Sequence, residues 1–121
     1  MTVRRDFVRL YEGSSDPWRV GEARAEVYEN TLKMLRLLGK EKISHILDIG
    51  CGSGVFTARV KEIFPNARVA GVDVAPLAIK EASRRYPSIT FTAQDVRNLD
   101  FQKESFDMVL ALDLLYYFSP R

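Results

Sequence analysis

One run governs what this chain can fold into: Leu47-Asp48-Ile49-Gly50-Cys51-Gly52-Ser53-Gly54, set between a short apolar segment and a helical one. Glycines at alternate positions let the backbone take positive φ and remove the Cβ atoms that would keep a ligand away from it. A helix beginning just after the run turns its unpaired N–H groups and partial positive charge toward the same place. A strand, a bare turn and a helix in that order are the opening of a βαβ unit.

The rest of the chain supplies matching units. His45 to Ile49 reads as the first strand, and Val55 to Phe64 as a helix with Phe56, Val60, Ile63 and Phe64 inward, stopped by Pro65-Asn66. Arg68 to Val72 reads as a second strand closing on Asp73. Pro76 suits the first turn of a second helix, which runs to Tyr86 and is ended by Pro87-Ser88. Ile89 to Ala93 is a third strand, followed by Gln94-Asp95-Val96, and Phe106 to Leu112 a fourth, nearly all apolar. Strands apolar on both faces belong in a parallel sheet covered by helices. The alternation predicts an α/β chain forming half of a doubly wound, mostly parallel sheet of about four strands. The stretch 94–105 is only weakly helical in pattern, and its structure stays open.

Ahead of the sheet, Met1 to Val20 reads as irregular, with Phe7, Tyr11, Trp18 and the turn Ser14-Ser15-Asp16-Pro17. A helix is predicted over Gly21 to Leu38, its apolar stripe made of Val27, Tyr28, Thr31, Met34, Leu35 and Leu38, with Gly39 as the terminating glycine. Residues 1–40 thus form a leading segment and helix, and residues 41–121 the sheet domain.

With 121 residues, 46% of them hydrophobic and 28% charged, the chain suits one globular domain. A net charge of +2 is too small to suggest nucleic acid, and Arg4, Arg5 and Arg9 read as a solvated terminus. The single cysteine, Cys51, excludes an internal disulfide, and one cysteine with one histidine (His45) cannot build a Cys/His zinc site, so no metal is expected. No apolar run approaches the roughly 20 residues that cross a bilayer, and no signal region opens the chain. Cytoplasm is the expected location, with no membrane partner.

The glycine spacing narrows the ligand. A dinucleotide turn places its third glycine three residues after the second, which here is Val55; this chain has Gly54 instead. Asp48 sits in the strand just ahead of the turn, where it would repel a pyrophosphate and attract an ammonium or sulfonium group. Asp73, closing the second strand, can accept from two ribose hydroxyls; alone it reads equally as a helix cap. Asp95 can accept from the exocyclic amine of a base while the Val96 N–H donates to a ring nitrogen; alone it reads as a solvated loop residue. Cys51 reads as a small packed residue with no basic partner, and His45 as a strand-flanking residue rather than a catalyst.

Together these residues resemble the class I S-adenosylmethionine-dependent methyltransferases over Ile46 to about Phe118. Asp48-Ile49-Gly50-Cys51-Gly52-Ser53-Gly54 resembles their first motif, Asp73 their ribose acid and Asp95 their adenine acid. Phe106-Asp107-Met108-Val109 with Leu112-Asp113-Leu114-Leu115-Tyr116-Tyr117 resembles their fourth-strand motif. Tyr11, Ser15-Asp16-Pro17-Trp18 and Tyr28-Glu29, with Leu115-Tyr116-Tyr117, are similar to the nodulation protein S-like branch.

The resemblance implies a Rossmann-like fold, S-adenosylmethionine as cofactor and methyl transfer to a small-molecule N- or O-nucleophile. It places Asp48, Gly50 and Cys51 at the methionine end, and Gly52 and Gly54 where the methionine chain and ribose need room. Asp73 and Val74 fall at the ribose, Asp95 and Val96 at adenine, and Ala111 and Leu112 on the methyl-donor side. Tyr11 and Trp18 become candidate lid residues, and Asp113, Tyr116 and Tyr117 candidates for the acceptor side. The family's full sheet has seven strands, so four leave the fourth as an open apolar edge. That edge implies a truncated product, a covering partner chain or a homo-oligomer. A catalytically silent cofactor-binding module is the alternative function, and a nicotinamide-binding domain a weaker one.

Overall fold

The computed structural model describes residues 9–10, 20–95, 97 and 106–112, with side chains from residue 25 onward. Its elements are β1 (Arg9–Leu10), α1 (Val20–Leu35), a 3-10 turn at Lys40–Lys42, β2 (His45–Ile49), α2 (Val55–Ile63), β3 (Arg68–Asp73), α3 (Pro76–Arg85), β4 (Thr90–Ala93) and β5 (Met108–Leu110). The five strands form one sheet in the order β1-β5-β2-β3-β4, and every pairing is parallel. The predicted α/β alternation is therefore present, wound outward from β2 in both directions.

One expectation is corrected at the sheet edge. Arg9 pairs with Val109 and Leu10 with Leu110, so β5 is not open at these two positions. The opening residues carry no sequence signal for a strand, because a two-residue strand is too short to show alternation. The pairing is supplied by β5, and no partner chain is needed to cover that stretch.

One sheet face holds the larger core. Leu32 and Leu35 of α1, Phe56, Val60 and Ile63 of α2, and Ile46, Val69, Met108 and Leu110 of the strands are buried together, with Phe64 just after α2. Burying side chains of this size contributes about 1.5–3 kcal/mol each relative to exposure. The Tyr28 and Phe56 rings lie 4.6 Å apart between centroids, locking α1 against α2. The opposite face gathers Leu47, Ile49, Val72, Val109 and Ala111, and among the described residues none of α1, α2 or α3 belongs to that cluster. Residues of β2 accordingly alternate between the two clusters, as strand geometry requires.

The end of α1 differs from the prediction. The helix stops at Leu35, and Leu37 and Leu38 donate to the carbonyls of Met34 and Leu35 in a tightened last turn. Met34, Leu37 and Leu38 are exposed, and the buried stripe includes Leu32 instead. Gly39 is extended, with φ −68° and ψ 110°, so it does not act as a left-handed helix terminator. At the other end of the sheet Asp107 fixes the start of β2. Its Oδ2 accepts from Ser44 N, Ser44 Oγ and His45 N at 2.8, 2.9 and 2.9 Å.

Candidate functional site at the carboxyl ends of the strands

The glycine turn leaves β2 and enters α2 through three left-handed residues, Gly50 (φ 77°), Gly52 (φ 57°) and Gly54 (φ 85°). Gly50 N and Cys51 N both donate to Val72 O, at 2.8 and 3.1 Å, tethering the turn to the neighbouring strand. The glycines serve different ends. A Cβ on Gly52 would meet nothing within 4 Å, so the turn is open on that side. A Cβ on Gly54 would come within 2.7 Å of Phe91 Cζ and 3.1 Å of Ala82 Cβ. The room expected beside Gly54 is thus taken by β4 and α3, and this glycine lets three elements pack closely. Gly71 was not singled out by sequence, yet a Cβ there would lie 2.8 Å from the Phe91 ring and 2.9 Å from Cys51 Sγ.

Asp73 ends β3 and does two jobs at once. Its Oδ2 accepts from Gly52 N at 2.9 Å, and its Oδ1 accepts from Ala75 N at 2.9 Å. The first bond fixes the tip of the turn and the second sets the entry to α3, which begins with Pro76. Both sequence readings of this residue, site acid and turn former, are therefore compatible with its geometry. Val74 follows it with an exposed side chain.

Asp48 is buried, and its Oδ2 accepts the Thr57 hydroxyl at 2.6 Å. Thr57, in the first turn of α2, is fully buried and was missed by sequence reasoning; only its place nine residues after the acid hints at the pair. Cys51, half-buried between the acids, has its thiol pushed up to about 12 by burial and then by the negative charges of Asp48 and Asp73. It is protonated at neutral pH and unsuited to nucleophilic attack.

Asp95 lies just past β4. Ala93 is in register with Asp73 and Gln94 N donates to Asp73 O at 2.8 Å, so Asp73 and Asp95 emerge at the same end of adjacent strands. The Asp95 carboxylate is gripped by Arg97: Nη2 to Oδ2 at 2.6 Å, Nε to Oδ1 at 3.0 Å, and the Arg97 N–H to Oδ1 at 2.9 Å. These bonds hold its carboxyl at about 2, below the usual range. Arg97 is a further residue at this end that sequence reading left out.

Ala111 and Leu112 continue from β5 at the same sheet end and are buried. Tyr11, Trp18, Val96, Asp113, Tyr116 and Tyr117 lie outside the described residues. His45 stands at the opposite, amino end of β2. Among the described residues, no group of three or more His, Cys, Asp or Glu could hold a metal ion, and no helix is long and apolar enough to cross a membrane.

This arrangement has counterparts in known proteins. Residues 46–121 match the family described as "Methyltransferase domain". Trans-aconitate 2-methyltransferase of Escherichia coli O1:K1 is 36% identical over 92 residues, covering 76% of this chain and 34% of that protein. The chain thus spans about a third of the length of the curated relatives it matches. A plantazolicin methyltransferase solved with S-adenosylhomocysteine superposes with TM-score 0.62 at 26% identity, covering 79% of this chain and 37% of its own. Magnesium protoporphyrin IX methyltransferase from Synechocystis PCC 6803 shares the fold, with TM-score 0.69 at 20% identity over 89% of this chain and 54% of its own.

Proposed function

Because this chain belongs to the class I S-adenosylmethionine-dependent methyltransferase family, we propose that it binds S-adenosylmethionine at the carboxyl ends of β2, β3 and β4 for methyl transfer to a small-molecule acceptor through an N or O nucleophile. One observation carries the reading. The Asp73 carboxylate reaches the Gly52 N–H at 2.9 Å while the outer side of Gly52 is open for 4 Å, so an acid and a bare backbone face one space.

The residues present fit that cofactor. Asp48 and the Gly50–Cys51 backbone meet the methionine ammonium, and Gly52 leaves room for the methionine chain. Asp73 accepts from the ribose hydroxyls beside Val74, and Asp95 with the Val96 N–H holds adenine. Ala111 and Leu112 back the methyl-donor side, Tyr11 and Trp18 close over it, and Asp113, Tyr116 and Tyr117 shape the acceptor side. When bound, the cofactor supplies a methyl group on a cationic sulfur. The chain's part is alignment of donor and nucleophile, worth roughly 7–11 kcal/mol in favourable cases. A side-chain base is needed only where the acceptor arrives protonated. Residues 1–40 supply a leading lid segment and a helix, residues 41–121 the S-adenosylmethionine-binding domain, and the cytoplasm is the compartment.

Calorimetry with S-adenosylhomocysteine and with NAD, followed by radiolabelled methyl transfer to panels of amines, hydroxyls and carboxylates, tests this. Binding of the homocysteine ligand alone, with transfer to one panel, is the expected result. Binding without transfer to any acceptor would make the chain a silent cofactor module, and NAD binding in its place would overturn the reading.

A further inference from the structure

The Asp48–Thr57 pair joins a buried acid of β2 to a buried threonine in the first turn of α2. Inside a helix such a hydroxyl can bond back to the carbonyl four residues earlier, as Thr31 of α1 does, donating to Val27 O at 2.7 Å; Thr57 stands in the first turn of α2, where the residue four earlier, Ser53, precedes the helix. Thr57 instead donates across the base of the glycine turn to Asp48 Oδ2 at 2.6 Å, with both residues buried. The bond holds a buried carboxylate at the base of the turn through a neutral donor. The hydroxyl does have one property that a lysine or arginine lacks: it orients the carboxylate without adding positive charge. Asp48 keeps its field at the turn, where it already acts on the Cys51 thiol.

We propose that Thr57 is a positioning residue for the cationic amino-acid end of the cofactor: its hydroxyl fixes the Asp48 carboxylate in the orientation that receives an ammonium group. The inference rests on the S-adenosylmethionine reading above and concerns one end of that ligand only. Two bonds then preset the turn from opposite sides, Thr57 to Asp48 at its base and Gly52 to Asp73 at its tip. Asp73 faces the part of the ligand that all adenosyl compounds share. Asp48 faces the part that only those with an amino-acid end carry.

The test compares two probes by calorimetry on the full chain. S-Adenosylhomocysteine carries the ammonium, and 5′-methylthioadenosine lacks it. Thr57→Val should weaken S-adenosylhomocysteine binding by about tenfold, the scale of one hydrogen bond to a charged group, and leave 5′-methylthioadenosine within about twofold. Thr57→Ser should restore the wild-type preference. Thr57→Cys, which fills the space with a weak donor, is made alongside in case the valine variant does not fold, and should show the same selective loss. Asp48→Asn should also lose the preference, and combining it with Thr57→Val should cost S-adenosylhomocysteine affinity nothing further. Equal loss of both probes, additive losses in the double variant, or an unchanged preference in the folded Thr57 variants would overturn the proposal. Failure of the wild-type chain to bind either probe would instead overturn the cofactor reading.

Discussion

Asp73 Oδ2 accepts the Gly52 N–H at 2.9 Å, joining the end of one strand to the tip of the turn that follows its neighbour. The same carboxylate's other oxygen accepts from Ala75 N at 2.9 Å, so one side chain sets both the shape of the turn and the start of α3. Asp73→Ala should weaken S-adenosylhomocysteine binding by about 1.5–3 kcal/mol, the usual range for bonds to a charged group. Asp73→Asn, which keeps one acceptor, should lose less. Calorimetry reads both; an unchanged dissociation constant for the alanine variant would contradict the ribose assignment.

Gly52 and Gly54 should respond differently to alanine. Both have positive φ, which costs a non-glycine residue about 1–2 kcal/mol. At Gly54 the added Cβ also presses on Phe91 at 2.7 Å, adding about 1–3 kcal/mol of overpacking. Urea denaturation should therefore rank Gly54→Ala well below Gly52→Ala in stability, and Phe91→Leu should recover part of the Gly54→Ala loss. Equal stabilities would show that Phe91 does not fill that space.

The Cys51 thiol should resist alkylation at pH 8 in the folded chain and react readily once unfolded, because its pKa is raised from 9.0 to about 12. For a raised thiol the unfolded state loses its proton first. Stability from this group is complete below pH 9 and falls as pH rises from 9 toward 12. Thermal unfolding across that window should decline more steeply in the wild type than in Cys51→Ala. Parallel declines would rule out the shift.

Asp107→Ala removes an acceptor used by Ser44 N, Ser44 Oγ and His45 N. Ser44 is exposed, and water replaces part of what is lost, so a destabilisation of about 1–2 kcal/mol is expected. The residue sits at the amino ends of the strands, away from the glycine turn. Cofactor affinity in the folded variant should therefore change by less than about twofold, whereas a loss matching that of Asp73→Ala would place Asp107 in the site.

Local chemistry made much of this protein legible from its sequence. Short apolar runs announced β2 and β3, the helical spacing of Phe56, Val60 and Ile63 announced α2, and Pro76 marked the first turn of α3. The glycines at 50, 52 and 54 adopt the left-handed backbone their spacing suggested, and Asp73 stands at the strand end where the pattern put it. Each of these is decided within a few residues of chain, by sterics and by side-chain period.

Tertiary structure decided the rest, because those relations join positions that no local pattern links. Phe91 comes from β4 to fill the space beside Gly54 and Gly71. Arg9 and Leu10 find β5 across a hundred residues of sequence, and Thr57 turns its hydroxyl away from its own helix to hold Asp48. The sequence names the acids and the turn; only packing between elements determines which donor each acid keeps and which glycine stays open to a ligand.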